Sequence, residues 1–102
     1  MSIKRKYLKS KPTCKVTFRV PKEAVSSAKS INLVGDFNNW DEYANPMRSL
    51  KNGAFSATID LEINREYEFR YWIDGKYWDN DWAADKYVPT VYGDSENSVI
   101  VV

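Results

Sequence analysis

From Val16 onward, apolar and polar residues alternate with a period of two in run after run, and turn-forming pairs punctuate the runs. Successive side chains of a β-strand point to opposite faces, so each such run is a strand with one face for a core and one for water. Val16, Phe18 and Val20 alternate with Lys15, Thr17 and Arg19 before Pro21 ends the first strand. Residues 31–34 read as a buried strand closed by Gly35, residues 47–50 as a short third strand. Phe55, Ala57, Ile59 and Leu61 then form the inner face of a fourth. Residues 66–73 are the next strand, Tyr77-Trp78 opens its return, and residues 98–102 form the last. Asn52-Gly53 and Asp74-Gly75 are strong tight-turn signals, and Asn64-Arg65 is a further turn. Residues 36–46 form a loop dense in turn formers, residues 79–96 a long loop, and the polar stretch 22–30 holds one helical turn at most. Seven or so short strands with regular turns predict an all-β fold, a two-sheet sandwich.

A chain of 102 residues makes one domain. Residues 1–11 hold Lys4, Arg5, Lys6, Lys9 and Lys11 and no acid, leaving ten bases against fourteen acids in the rest. The expectation is a flexible basic tail over residues 1–13 and a mildly acidic folded body over residues 14–102. A net charge of +1 argues against nucleic acid as a partner. No apolar run could span a membrane and no signal-peptide core opens the chain, so no membrane partner is expected. The chain has no histidine, which removes His-based triads and His-ligated metals. A lone Cys14 has no internal disulfide partner and fits a reducing, cytoplasmic setting.

Four Trp and seven Tyr are too many for a domain of this size to bury completely. In the strand over residues 66–73, alternation puts Tyr67, Phe69, Tyr71 and Ile73 on the core face and Glu66, Glu68, Arg70 and Trp72 on the outer one. Trp72 is either part of a recognition surface or a structural ring covered by the 79–92 loop. Trp40, flanked by Asn38, Asn39, Asp41 and Glu42, lacks a local apolar frame and is expected to be exposed. Phe37 is expected to anchor its loop in the core, with Asn38 and Asn39 as turn formers. Sugar recognition uses this mixture: flat rings pack on the C–H faces of a pyranose while cations and amides bond its hydroxyl edges. The expected site has two aromatics, one cation and one amide on a shallow surface.

The segment Asn32-Leu33-Val34-Gly35-Asp36-Phe37-Asn38-Asn39-Trp40 resembles the opening motif of the family 48 carbohydrate-binding modules. That family includes N-terminal domains of isoamylases and glycogen-branching enzymes and the glycogen-binding domain of the AMP-activated protein kinase β subunit. Tyr67-Glu68-Phe69-Arg70-Tyr71-Trp72-Ile73-Asp74-Gly75-Lys76-Tyr77 is similar to the family's Tyr-x-Phe-Lys-aromatic-x-Asp-Gly hairpin, and Glu96-Asn97-Ser98-Val99-Ile100-Val101-Val102 to its closing strand. Three matched segments, in order over residues 14–102, make the resemblance specific. It implies an immunoglobulin-like, early-set β-sandwich that binds glycogen- or starch-like α-glucan without catalysis or cofactor, with a glycogen-metabolising enzyme as a further candidate partner. By position, Trp40 matches the first stacking Trp, Arg70 the sugar-contacting Lys and Asn97 the Asn that opens the last strand. Tyr77, or Trp78 beside it, stands for the second stacking ring, and Ser95 replaces a Thr. Gly93 stands where kinase-type domains place a Leu through the sugar ring. Trp82, Tyr87 and Tyr92 have no place in the motif.

Three rival readings remain. Asp79, Asp81 and Asp85 could serve a glycosidase only across a cleft, which so small a domain is not expected to provide. The same residues begin like a calcium loop but lack its Gly and its closing Glu. The third rival is a protein–protein or regulatory module, for which exposed aromatics and sheet edges serve equally well.

Overall fold

Cys14, Val16, Phe18 and Val20 lie buried along one face of a single strand, and the rest of the fold assembles around such faces. The structure is a computed structural model that describes residues 1–25, 27–91 and 95–102. Nine strands run in the order β1 (Ser2–Tyr7), β2 (Thr13–Val20), β3 (Ile31–Gly35), β4 (Arg48–Ser49), β5 (Phe55–Glu62), β6 (Glu66–Ile73), β7 (Tyr77–Asp79), β8 (Lys86–Pro89) and β9 (Glu96–Val101). Short 3-10 turns occupy Lys22–Ala24 and Asp36–Asn38. One sheet has the order β1-β2-β5-β4, the other β3-β6-β9-β8 with β7 also paired to β6, and every pairing is antiparallel. The two inner faces pack as an all-β sandwich, as the alternation predicts.

The core gathers Phe18 of one sheet against Phe69 of the other, with centroids 5.1 Å apart and edge-on. Tyr71 continues the stack at 5.9 Å from Phe69. Phe37 anchors its loop as expected, tilted against Phe18, Tyr67 and Phe69 at 6.2 to 6.5 Å. At the β6–β7 turn Asp74 and Gly75 both adopt positive φ, 54° and 63°, the backbone of a tight hairpin turn. The Asp74 carboxylate also accepts the backbone N–H groups of Ser30 and Lys29, which hold it below its ordinary pKa.

The structure departs from the sequence reading in two segments that form one seam. Residues 2–7, expected within a flexible tail, are strand β1, paired along its length to β2. Ile3, Arg5 and Tyr7 share the face of Phe18, Val16 and Cys14, while Lys4 and Lys6 share the outward one. The charge run therefore has the strand period, and its charged outer edge also protects the sheet from edge-to-edge pairing. Within residues 79–96, expected as loop, Lys86–Pro89 forms β8 on the edge of β9. Between β7 and β8 the chain closes the gap between the sheets. Arg5 donates to the Asp85 carboxylate and to the carbonyl of Val101, and Asp85 also accepts the Val101 N–H at 2.7 Å. Asp81 is fully buried: Tyr71 donates its hydroxyl to one carboxylate oxygen at 2.5 Å, and the Ala83 N–H donates to the other at 2.7 Å. The Asp81 N–H reaches Ser98 Oγ at 2.9 Å, and the Tyr87 hydroxyl donates to its carbonyl. Burial first, and then the facing Asp81 carboxylate, push the Tyr71 phenol well above its usual pKa. Asp81 and Asp85 thus work as struts of the seam, and among the described residues no group of three His, Cys, Asp or Glu side chains could hold a metal ion.

Candidate functional site

The site is built where β3 runs out against β6. Gly35 pairs with Phe69, and a Cβ on Gly35 would stand 2.5 Å from the Glu68 carbonyl oxygen and 2.7 Å from Phe69 Cβ. Its φ of −176° is ordinary extended backbone, so the requirement for glycine here is space. Asn38 then folds the chain back: its side-chain oxygen accepts the Gly35 N–H at 3.0 Å, and its amide donates to the Leu33 carbonyl at 2.9 Å and to Asn45 Oδ1 at 2.7 Å. Asn39 and Trp40 follow in the left-handed region at φ of 55° and 58°. Asn tolerates this conformation, whereas a bulky residue there costs on the order of 1–3 kcal/mol and needs its surroundings to hold it.

Asp36 does most of that holding. One carboxylate oxygen accepts the Trp40 indole N–H at 3.0 Å; the other accepts the Glu68 backbone N–H at 2.8 Å. The Trp40 N–H closes the turn on the Gly35 carbonyl at 2.9 Å. Trp40 is half-buried rather than exposed as expected, because this clamp lays it against the sheet edge.

Trp40 forms part of an open groove of about 620 Å³ on the outer face of the β3-containing sheet. Arg70, Trp78 and Asn97 line it with Trp40, together with the carboxylates Asp36, Glu42 and Glu68 and the segment Pro89, Thr90, Val91. Register explains the convergence. Trp72 pairs with Trp78, and alternation then puts Arg70 and Glu68 on that same outer face. Trp78 stands against Trp72 with ring centroids 4.4 Å apart, so Trp72 backs the groove instead of lining it. Trp78 thus covers one side of Trp72. Asn97 donates to Glu68 Oε1 at 3.0 Å. The Arg70 side chain forms no ion pair or hydrogen bond among the described residues, and its Nε, like Trp72 Nε1, is a buried donor without a partner. A buried donor left unpaired costs about 1–3 kcal/mol, which a ligand acceptor could relieve.

Of the residues singled out in the sequence, the structure brings Trp40, Arg70, Trp78 and Asn97 together and leaves two off the lining. Tyr77 pairs with Ile73 and so belongs to the opposite face, half-exposed at the sheet edge. Ser95 sits behind the rim, its hydroxyl 3.1 Å from that of Thr90, which does line the groove. Gly93 and Tyr92 fall outside the described residues. Sequence reasoning missed Asp36 and Glu68 as the frame, Glu42 as a lining carboxylate, and Pro89, Thr90 and Val91 as one wall. Glu68 was legible through its alternation with Arg70; Asp36 was visible only as part of a motif.

A two-sheet domain whose outer face carries paired indoles beside a guanidinium and an amide belongs to the class of small surface-groove binding modules. The chain is a member of the carbohydrate-binding module 48 family (isoamylase N-terminal domain), whose model matches residues 12–88. It is also similar to a 1,4-alpha-glucan branching enzyme of Halothermothrix orenii, with 31% identity over 61 residues. That match covers 60% of this chain and 10% of the enzyme, so the chain spans about a tenth of the length of its relative.

Proposed function

We propose that the groove binds α-glucan, that the domain performs no chemistry of its own, and that it serves an enzyme of glycogen or starch metabolism. The observation that carries this reading is the convergence of Trp40, Trp78, Arg70 and Asn97 from four separate segments on one open groove. The indole of Trp40 packs on the C–H face of one glucose unit and Trp78 on that of another. Arg70, whose donors are unspent, and Asn97 bond the hydroxyl edges between them. The openness of the groove suits a polymer, which can enter and leave along its length. Membership of a carbohydrate-binding family supports a glycan as ligand, and the similarity to a branching enzyme supports an α-glucan.

Covering about 80 Å² of indole face would contribute roughly 2 kcal/mol, a factor of about thirty in affinity. Affinity electrophoresis through gels containing glycogen or amylose tests the reading. Wild type is expected to be retarded, and Trp40→Ala and Arg70→Ala each to need roughly thirtyfold more glucan for the same retardation. Wild-type migration unaffected by either polymer would refute glucan binding and favour a protein-docking module.

A further inference from the structure

The carboxylates of the groove do not all have the same employment. Asp36 is spent on Trp40 and the Glu68 backbone, and Glu68 is engaged by Asn97. Glu42 lines the groove half-buried and has no hydrogen bond or ion pair among the described residues. The clamp and the turn do not depend on it, so local architecture does not explain its carboxylate. Its place on the lining does give it a consequence. Among the described residues the lining carries three carboxylates and one guanidinium, a formal charge of −2, and none of the described carboxylates lies within ion-pair distance of Arg70. The other described residues of the lining are uncharged.

We propose that the groove selects uncharged glucan over phosphorylated glucan, and that Glu42 is the specificity-determining residue. This rests on the glucan reading of the groove and deepens it. A neutral polyol meets Glu42 as an acceptor for adjacent hydroxyls and feels no net field. A phosphate monoester brings a charge of about −2 at neutral pH and meets a net field of the same sign, since Arg70 offsets only one of the three lining carboxylates. For a separation of about 8 Å in a water-like dielectric, two charges against two weaken binding roughly fivefold near 0.1 M salt and roughly fifteenfold near 0.01 M. Neutralising one of the two net charges takes the square root of that factor, leaving a discrimination of about fourfold at the lower salt.

The experiment is a calorimetric titration of wild type and Glu42→Gln with two probes, maltoheptaose and singly phosphorylated maltoheptaose. Each is titrated near 0.01 M and near 0.1 M salt, with Trp40→Ala as the control for the groove. The readout is the ratio of the two affinities within each protein, so a loss common to both probes cancels. Wild type is expected to prefer the neutral sugar about fifteenfold at low salt, with the gap closing as salt rises. Glu42→Gln is expected to narrow the low-salt gap to about fourfold. Equal affinities for the two probes in wild type at low salt would overturn the selection while leaving glucan binding intact. An unchanged ratio in Glu42→Gln would overturn the assignment to Glu42. If wild type binds neither probe, the glucan reading fails and the selection fails with it.

Discussion

The geometry makes Asp36 a positioning residue, and Asp36→Ala tests whether it acts through Trp40. Its two oxygens take one donor from the putting-in-place of the ring, the Trp40 indole N–H at 3.0 Å, and one from the sheet, the Glu68 N–H at 2.8 Å. Hydrogen bonds to a charged acceptor contribute about 1.5–3 kcal/mol each, but both of these are exposed and water replaces part of them. The expected loss of stability is about 1–2 kcal/mol for the pair, a fall in Tm of roughly 5–10 °C for a domain of this length. The effect on binding has another origin. Trp40 occupies a left-handed backbone at φ 58°, and the indole bond to Asp36 is the one side-chain hydrogen bond, among the described residues, that holds the ring against relaxation of that strain. The ring then spends part of its time away from the groove. Since the whole stack is worth about 2 kcal/mol, or thirtyfold, Asp36→Ala is expected to weaken glucan binding about tenfold.

Both quantities are measured on the same proteins, affinity from retardation against glycogen concentration and stability from the urea midpoint. A double-mutant cycle with Trp40→Ala separates positioning from general damage. If Asp36 acts through Trp40, Asp36→Ala weakens binding in wild type but adds no further loss in the Trp40→Ala background, while its stability cost persists in both. Asp36→Asn, with a single carbonyl oxygen, can satisfy one donor and must turn its amide towards the other, so it is expected to fall between wild type and Asp36→Ala. Full binding by Asp36→Ala at reduced stability would refute the positioning role. Equal losses in both backgrounds would do the same.

Two further predictions concern the frame. Gly35→Ala forces a Cβ to within 2.5 Å of the Glu68 carbonyl oxygen with no change of backbone class, so overpacking should cost about 1–3 kcal/mol in urea unfolding; stability within about half a kcal/mol of wild type would count against the close approach of β3 and β6. Tyr71→Phe removes the hydroxyl donated to the buried Asp81, for an expected loss of about 1–3 kcal/mol or more at neutral pH. The Tyr71 phenol is raised in the fold, so its contribution is intact below about pH 10, the unfolded value, and fades as pH climbs towards the folded one. The gap between wild type and Tyr71→Phe should therefore shrink above pH 10, and a gap that widens there would contradict the assignment.

How legible the domain was in its sequence depends on whether the deciding contact is local. Alternation within β2, β5 and β6 needs no partner to be read, and those strands and their core faces were expected correctly. Strand β1 has the same alternation, with Ile3, Arg5 and Tyr7 on the face of the buried β2 residues, but a run of lysines obscured it. Its justification is a bond from Arg5 to Asp85, eighty positions away. Strand β8 was hidden for the same reason: its order comes from its edge pairing with β9 and from the buried strut Asp81, whose carbonyl accepts the Tyr87 hydroxyl. Charged residues that look like solubility in a composition table here close a seam.

The choice between Tyr77 and Trp78 shows how a single residue of register settles a site. A two-residue Asp74-Gly75 turn, continued without interruption, would pair residue 73 with residue 76 and residue 72 with residue 77, which puts Tyr77 on the outer face beside Trp72. The turn itself forms, with the Lys76 N–H donating to the Ile73 carbonyl at 3.0 Å. Yet the strand partner of Ile73 is Tyr77, and that of Trp72 is Trp78. Lys76 is thus one residue more than the turn requires, a bulge at the start of the return strand. Because the side-chain period of a strand is two, one extra residue exchanges the faces of all that follow. Tyr77 goes to the inner side of the edge, and Trp78 goes outward, against Trp72 at 4.4 Å and into the groove with Arg70. Deleting Lys76 should reverse that exchange and place Tyr77 on the groove face. The motif alone names both rings; the bulge decides which of them a ligand could meet.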